Sequence, residues 1–307
     1  MSPGTRGRRY RCSLTGTSVL PFAVILQARQ VGGVTMSGGE TTIDTTKASV
    51  ARVYDALLGG KDNYEVDRVV YRSVLESDPQ APATAVAIRE WLVRVVRWLA
   101  GPAGMDQFLD CGSGLPTQEN THEAAQRLNP EARVVYVDND PVVGAHGRAL
   151  LEENPFTHFV EADLADPDAL LGHPDVTRNL DLDRPYVLMQ CNTLHHLMDD
   201  EDPHGIMRRY IDALPSGSYV ALCHFWDPQD EDPESSTFAK DMEQRLTGSS
   251  MGSGRFRTRD EIAAYLEGLE PVEPGLVRLH EWWPDGPRLT PLTSMDRVLL
   301  SGVARKP

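Results

Sequence analysis

Between Gln107 and Phe225 the chain repeats one pattern: a short apolar run, a stretch of helical periodicity, then another apolar run. The runs are QFLDCGSG (107–114), RVVYVDND (133–140), HFVEADL (158–164), YVLMQCNTLHHL (186–197) and SYVALCHF (218–225). Helical periodicity falls between them at 117–128, 141–152 and 203–214. Apolar runs joined by single helices read as parallel strands covered on both faces. The pattern predicts an α/β fold with a doubly wound, seven-stranded, mostly parallel sheet. Its last strand is antiparallel, because VRLHEWW (277–283) and DRVLLSGVAR (296–305) are close enough to pair as a terminal hairpin.

Upstream, helical stripes fill 49–58, 67–76 and 84–100, and GPAG at 101–104 breaks them from the strand-rich region. Downstream, 235–246 reads as a helix, GSSMGSG (248–254) as a linker or mobile lid, and Thr258 with Glu261 as a capping box. Residues 1–35 differ, with five arginines and no acid. They are expected to be disordered or an over-long start, with Met36 opening the true chain.

Of the 307 residues 40% are apolar, and no stretch reaches the roughly 18 residues that span a bilayer. The net charge of -15 is spread along the chain, which argues against nucleic acid as the main partner. Cys12, Cys111, Cys191 and Cys223 form no CxxC pair, and three lie in apolar strands. That usage fits reduced thiols in a cytoplasmic protein. No membrane partner is expected, and no pattern assigns an oligomeric state.

The run DCGSG carries the first chemistry. In a doubly wound sheet the ligand sits beyond the carboxyl ends of the strands, where the chain order reverses. Gly112 and Gly114 after the first strand let the backbone approach it, but Thr117 stands where a dinucleotide fingerprint has its third glycine. Asp110 ends the first strand, Asp138 the second and Asp163 the third. A carboxylate at Asp138 can accept both ribose hydroxyls, and one at Asp163 an adenine amino hydrogen. Each acid alone also reads as a turn former or helix cap. Together they describe a site for an adenosine without a pyrophosphate, with a negative field that suits a sulfonium.

The order DCGSG, VVYVDND, EADL and NTLHHL resembles a Rossmann-like S-adenosylmethionine-dependent methyltransferase. More narrowly, ARVYDALLGGKDNYEVDR, FLDCGSGLPTQENTHEAAQ, ARVVYVDNDPVV, LPSGSYVALCH and LEGLEPVEPGLV resemble an actinobacterial family of such enzymes, long treated as a domain of unknown function. The resemblance covers about residues 45–305. Cys111 and Ser113 stand where that family usually has Ile and Thr, and His195–His196 where it tends to have one histidine.

The resemblance implies S-adenosylmethionine as cofactor, a methyltransferase core over 105–307 and a helical cap over 45–104 that covers the cofactor mouth. LLGGKDNY (57–64) reads by itself as a helix C-cap with solvated charges. The resemblance makes it a cofactor clamp, bringing Arg52, Tyr54, Gly59, Gly60, Lys61 and Asn63 to the methionine end. It also extends the cofactor site to Asn139, Leu164, Gln190 and Asn192.

Methyl transfer from a sulfonium needs a general base only where the attacking atom sheds a proton. His195, His196 and His224 follow the fourth and fifth strands, and His195, which matches the family histidine, is the first choice. The alternative is that these histidines only shape the pocket. With Cys191 they show no metal-ligand spacing, so no metal is expected. Phe225, Trp226 and residues 235–254 could line an acceptor pocket, with at most one of Trp282 and Trp283. The expected function is methylation of a small molecule. Its rivals are a sensor that binds the cofactor without catalysis and an NAD-dependent oxidoreductase.

Overall fold

In the computed structural model the chain is described over residues 44–116, 119–150, 154–287 and 290–307, so the reading of residues 1–35 lies outside the described residues. Three helices lead: α1 (Val50–Leu57), α2 (Glu65–Ser77) and α3 (Ala81–Ala100). Pro82 opens α3, where a missing N–H removes no helical bond. Ile88, Trp91, Leu92, Val95, Val96 and Leu99 form its buried stripe.

Strands β1 (Gln107–Cys111), β2 (Arg133–Asp138), β3 (Thr157–Glu161), β4 (Val187–Cys191) and β5 (Tyr219–Phe225) follow, all parallel. Their connections carry α4 (Thr121–Gln126), α5 (Pro141–Leu150), α6 (Pro167–Leu171), α7 (Pro174–Asn179) and α8 (Pro203–Ala213). After β5 come α9 (Pro233–Thr247), α10 (Arg259–Ala264), β6 (Glu270–Pro271), β7 (Val277–Arg278) and β8 (Leu299–Arg305). The sheet order is β3-β2-β1-β4-β5-β8-β6, with β7 also on β8. The order reverses at β1, between β2 and β4, which places the crevice at their carboxyl ends.

Alternate strand residues feed two cores, because successive side chains point to opposite faces. Phe108, Val134, Val187 and Ala221 pack in one core with α3, α4, α5 and α9. Their neighbours Leu109, Val135, Leu188 and Val220 pack in the other with α6, α7, α8 and α10.

The antiparallel last strand is present as β8, running in register from Tyr219↔Arg305 to Phe225↔Leu299. The strand expected beside it over 277–283 is cut short at Val277–Arg278, and a second short strand, β6, precedes it. Pro274 and Gly275 separate β6, which ends on Pro271, from β7, and each strand is two residues long. Past Arg278 the chain turns into a 3-10 helix (Leu279–Glu281), so the terminal hairpin is limited to Val277↔Ser301 and Arg278↔Leu300. The capping box at Thr258 and Glu261 opens α10 as expected.

The leading helices are tied to the sheet by charge as well as by apolar contact. Arg52 of α1 is buried, and its Nε donates to Asp67 Oδ2 at 2.9 Å. Asp67 Oδ2 also accepts the Tyr64 N–H at 2.8 Å, and its Oδ1 the Ser49 N–H at 3.0 Å, which joins α1 to α2. Beyond α1, Arg52 lies 3.6 Å from Asp140 Oδ2, which also accepts the Ser49 hydroxyl. Asp140 belongs to the turn after β2, so the latch spans the helical cover and the crevice.

Removing one partner of a buried pair strands the other charge, at about 3–5 kcal/mol. Asp67→Ala should lose stability on that scale in urea unfolding, whereas Lys61→Ala, at an exposed loop position, should stay within about 0.5 kcal/mol. A loss below about 1 kcal/mol for Asp67→Ala would refute the latch.

Candidate functional site

The crevice is built first by backbone handedness. Gly112 follows β1 at φ +69°, and a Cβ there would also run into the Thr193 methyl group. Only glycine meets both demands. In this turn the N–H groups of Gly112 and Ser113 donate to Val137 O at 2.7 and 3.0 Å, drawing the β1 loop across the end of β2.

Asp138 closes that end. Its two oxygens accept the N–H groups of Gly114 and Asp140, each at 2.9 Å. Burial pushes its carboxyl up to about 6 against the pull of those amides. Asp110 is buried at the end of β1 and accepts the Thr121 hydroxyl at 2.6 Å. Burial raises its pKa, opposed by Thr121 and by the Arg89 charge. Asn139 is exposed beside Asp138. Asp163 is an exposed turn residue that accepts the Ala165 N–H at 2.9 Å, while Leu164 lies half-buried across from Gly112.

At β4 the polar groups are left unpaired. Gln190 is fully buried; its Oε1 accepts the Thr193 hydroxyl at 2.7 Å, but its Nε2 has no partner among the described residues. Asn192 adopts φ +64°, its N–H donates to Cys223 O at 3.0 Å, and its Oδ1 is buried without a partner among the described residues. Ser113 Oγ is likewise unpaired. A buried polar atom left unpaired costs about 1–3 kcal/mol. Asparagine tolerates the left-handed region better than most residues, and such strain collects at functional sites.

The cover corrects several expectations. Arg52 does not face the crevice as a ligand clamp: besides Asp67 and Asp140, its guanidinium bonds Lys47 O at 2.6 Å. Gly59, at φ +77°, ends α1, and the loop after it organises around Asp55. Asp55 accepts the Asp62 N–H at 3.0 Å and Asn63 Nδ2 at 2.7 Å, and leaves no room for a Cβ on Gly60. Lys61 is exposed. The Asp62 N–H and the Asn63 amide of LLGGKDNY are thus engaged within the loop. Tyr54 points its hydroxyl to Ala85 O at 2.9 Å, leaving its ring to line a cavity.

A cation that pattern reading passed over stands nearer the strand ends. Arg89 of α3 donates one NH2 to Glu119 O at 2.5 Å, and its Nε is buried with no partner among the described residues. Its charge acts on Asp110, Tyr54 and Cys191. Its place in the sequence held the signal: it falls four residues after Ala85 and three before Leu92, on the apolar stripe.

The cavity lies under α1, α3 and α9 and holds about 80 Å³. At the strand ends it is lined by Asn192, His196 and Phe225. His195 is not in its lining: the ring is fully buried, stacked on Phe225 with centroids 3.6 Å apart, and neither nitrogen has a partner among the described residues. The 3-10 turn at Leu194–His196 separates the two histidines, and His196 is the one that faces the cavity. Its Nδ1 lies 2.9 Å from Ser253 Oγ. His224 Nδ1 donates to Phe225 O at 2.6 Å, which fixes its tautomer. Trp226, Trp282 and Trp283 do not line the cavity; Met242, Leu246 and Met251, all within 235–254, do. Among the described residues no group of His, Cys, Asp or Glu is placed to hold a metal, and no helix is long and apolar enough to cross a membrane.

The profile of the S-adenosyl methyltransferase family matches residues 36–307. The chain belongs to this family. The methyltransferase is also similar to two solved structures. One is a candidate methyltransferase from Thermobifida fusca, 43% identical over 86% of this chain and 96% of that one, with a TM-score of 0.79. The other is a DUF574 family protein from Streptomyces avermitilis, 39% identical over 87% of this chain and 100% of that one, with a TM-score of 0.80. No curated protein matches. Membership establishes S-adenosylmethionine as the methyl donor of this methyltransferase.

Burial holds the three clustered histidines of the methyltransferase neutral: His195 well below its usual range, His196 at about 4 and His224 at about 3. The unfolded chain takes up these protons near pH 6.5. Stability from each is therefore fully present above pH 6.5 and lost as pH falls toward about 4 and 3. Asp138 acts in the opposite sense, binding its proton in the fold near pH 6. In urea unfolding between pH 6 and 4.5, His224→Asn should flatten the loss of stability by about 1.4 kcal/mol per pH unit.

Proposed function

We propose that the chain methylates a small-molecule acceptor held in the cavity beneath α1, α3 and α9. The observation that carries this reading is the cavity's position at the carboxyl ends of β4 and β5, where Asn192, His196 and Phe225 line it. When bound, S-adenosylmethionine supplies a methyl group on a positively charged sulfur. The unpaired Ser113 Oγ, Gln190 Nε2, Asn192 Oδ1 and Arg89 Nε suit a ligand carrying both an amine and a carboxylate.

In this reading Asp138 holds the ribose hydroxyls, and Gly112 and Gly114 give the backbone close access. Asp110, Asn139, Asp163 and Leu164 flank the nucleoside. Arg89 takes the carboxylate role first assigned to Arg52 or Lys61. Residues 45–104 form the cap, and Arg52 fastens it through Asp67 and Asp140. The apolar lining excludes water, so positioning supplies much of the rate. His196 replaces His195 as the group able to take a proton from the acceptor. The reading places the protein in the cytoplasm, away from nucleic acid and membrane.

Calorimetric titration with S-adenosylmethionine, S-adenosylhomocysteine and NAD tests this. The two sulfur nucleosides should bind and NAD should not. Asp138→Ala should abolish binding, and wild-type affinity should fall as pH drops through about 6, where Asp138 takes its proton. Binding of NAD alone would overturn the reading. Arg89→Met should weaken S-adenosylhomocysteine by about 2 kcal/mol, roughly thirtyfold, yet leave 5′-methylthioadenosine, which lacks the amino acid, nearly unchanged.

A further inference from the structure

We infer that the cavity takes an uncharged, largely apolar acceptor, of the phenol class, whose hydroxyl donates to Nε2 of His196. This rests on the methyl-transfer reading and adds the chemical class of the acceptor.

The lining decides the class. It contains no Lys, Arg, Asp or Glu, so neither a carboxylate nor an ammonium on the acceptor would find a partner there. A charge moved into such a site unpaired is strongly disfavoured. Two of the lining's polar groups are already engaged: the Thr84 hydroxyl with Thr293 at 2.8 Å, and the Tyr54 hydroxyl with Ala85 O. In the methyl-transfer reading Asn192 Oδ1 serves the amino-acid end of the methyl donor, so His196 remains for an occupant. We take His196 in the tautomer whose Nδ1–H donates to Ser253 Oγ, 2.9 Å away, which leaves the lone pair on Nε2 to accept from the occupant.

The cavity is tight for such an occupant. At about 80 Å³ it is smaller than the roughly 150 Å³ cavity that accommodates benzene in a protein core. A single ring therefore enters only if side chains yield. Met242, Met251 and Met295 all line it, and methionine is the side chain best able to do so. Met251 and Ser253 belong to the 248–254 segment, whose Gly252 and Gly254 adopt positive φ. On transfer the acceptor oxygen–carbon bond forms as the carbon–sulfur bond breaks. The electron pair of the broken bond stays on sulfur, and the hydroxyl proton passes to Nε2 of His196.

The test is calorimetry on protein saturated with S-adenosylhomocysteine, using 4-ethylphenol, its cationic relative tyramine and its anionic relative 4-hydroxyphenylacetate. The neutral phenol should bind at least about tenfold tighter than either ion. Met251→Asp places a carboxylate in the lining from a loop, and should shift the preference toward tyramine by about tenfold with S-adenosylhomocysteine affinity retained. Absence of S-adenosylhomocysteine binding would sink the methyl-transfer reading itself. With that binding intact, equal affinities for the three phenols, no heat from 4-ethylphenol at millimolar concentration, or an unaltered preference in Met251→Asp would each overturn the acceptor class alone.

Discussion

Arg52 sits nearly out of water with its guanidinium between Asp67 and Asp140, and in that position it joins three parts of the molecule. Asp67 is on α2, Arg52 on α1, and Asp140 on the turn that follows β2. That turn also supplies the N–H that holds Asp138 Oδ1. The position of the cover and the position of the carboxylate at the end of β2 therefore depend on one cation. Buried pairs of this kind contribute little net energy against an apolar substitute, but they are intolerant of losing one member. Their value here is geometric, since an apolar contact would let α1 slide where a charged one does not.

The sheet was legible because both of its faces are buried. A strand covered on both sides must be apolar at nearly every position, so RVVYV and YVALC announce themselves without knowledge of their partners. α6 and α7 were not legible, being five and six residues long, too short for a helical period to repeat. β6 and β7 were not legible because a two-residue strand has no pattern of its own.

At the site, glycines and acids at strand ends carried a local signal, since backbone handedness and turn chemistry are written in a few adjacent residues. Two features needed the third dimension. His195 and His196 are neighbours, and only the tight turn decides that one stacks on Phe225 while the other meets the cavity. The apolar stripe of α3 marks Arg89 as inward-facing, but only the packed structure shows its charge acting on Asp110 and Cys191. The order within the LLGGKDNY loop was hidden for a related reason: the residue that organises it, Asp55, lies two positions before the stretch begins.

The short, proline-bearing β6 has a further consequence for the chain among its own copies. A sheet edge with free N–H and C=O groups is a template on which another strand can grow. Here β8 is covered on its outer side only by β6 and β7, and β6 offers two residues, one of them Pro271, which has no N–H to donate. The shortness of β6 and β7 thus blunts the sheet, so that this edge gives a neighbouring molecule little backbone to pair with.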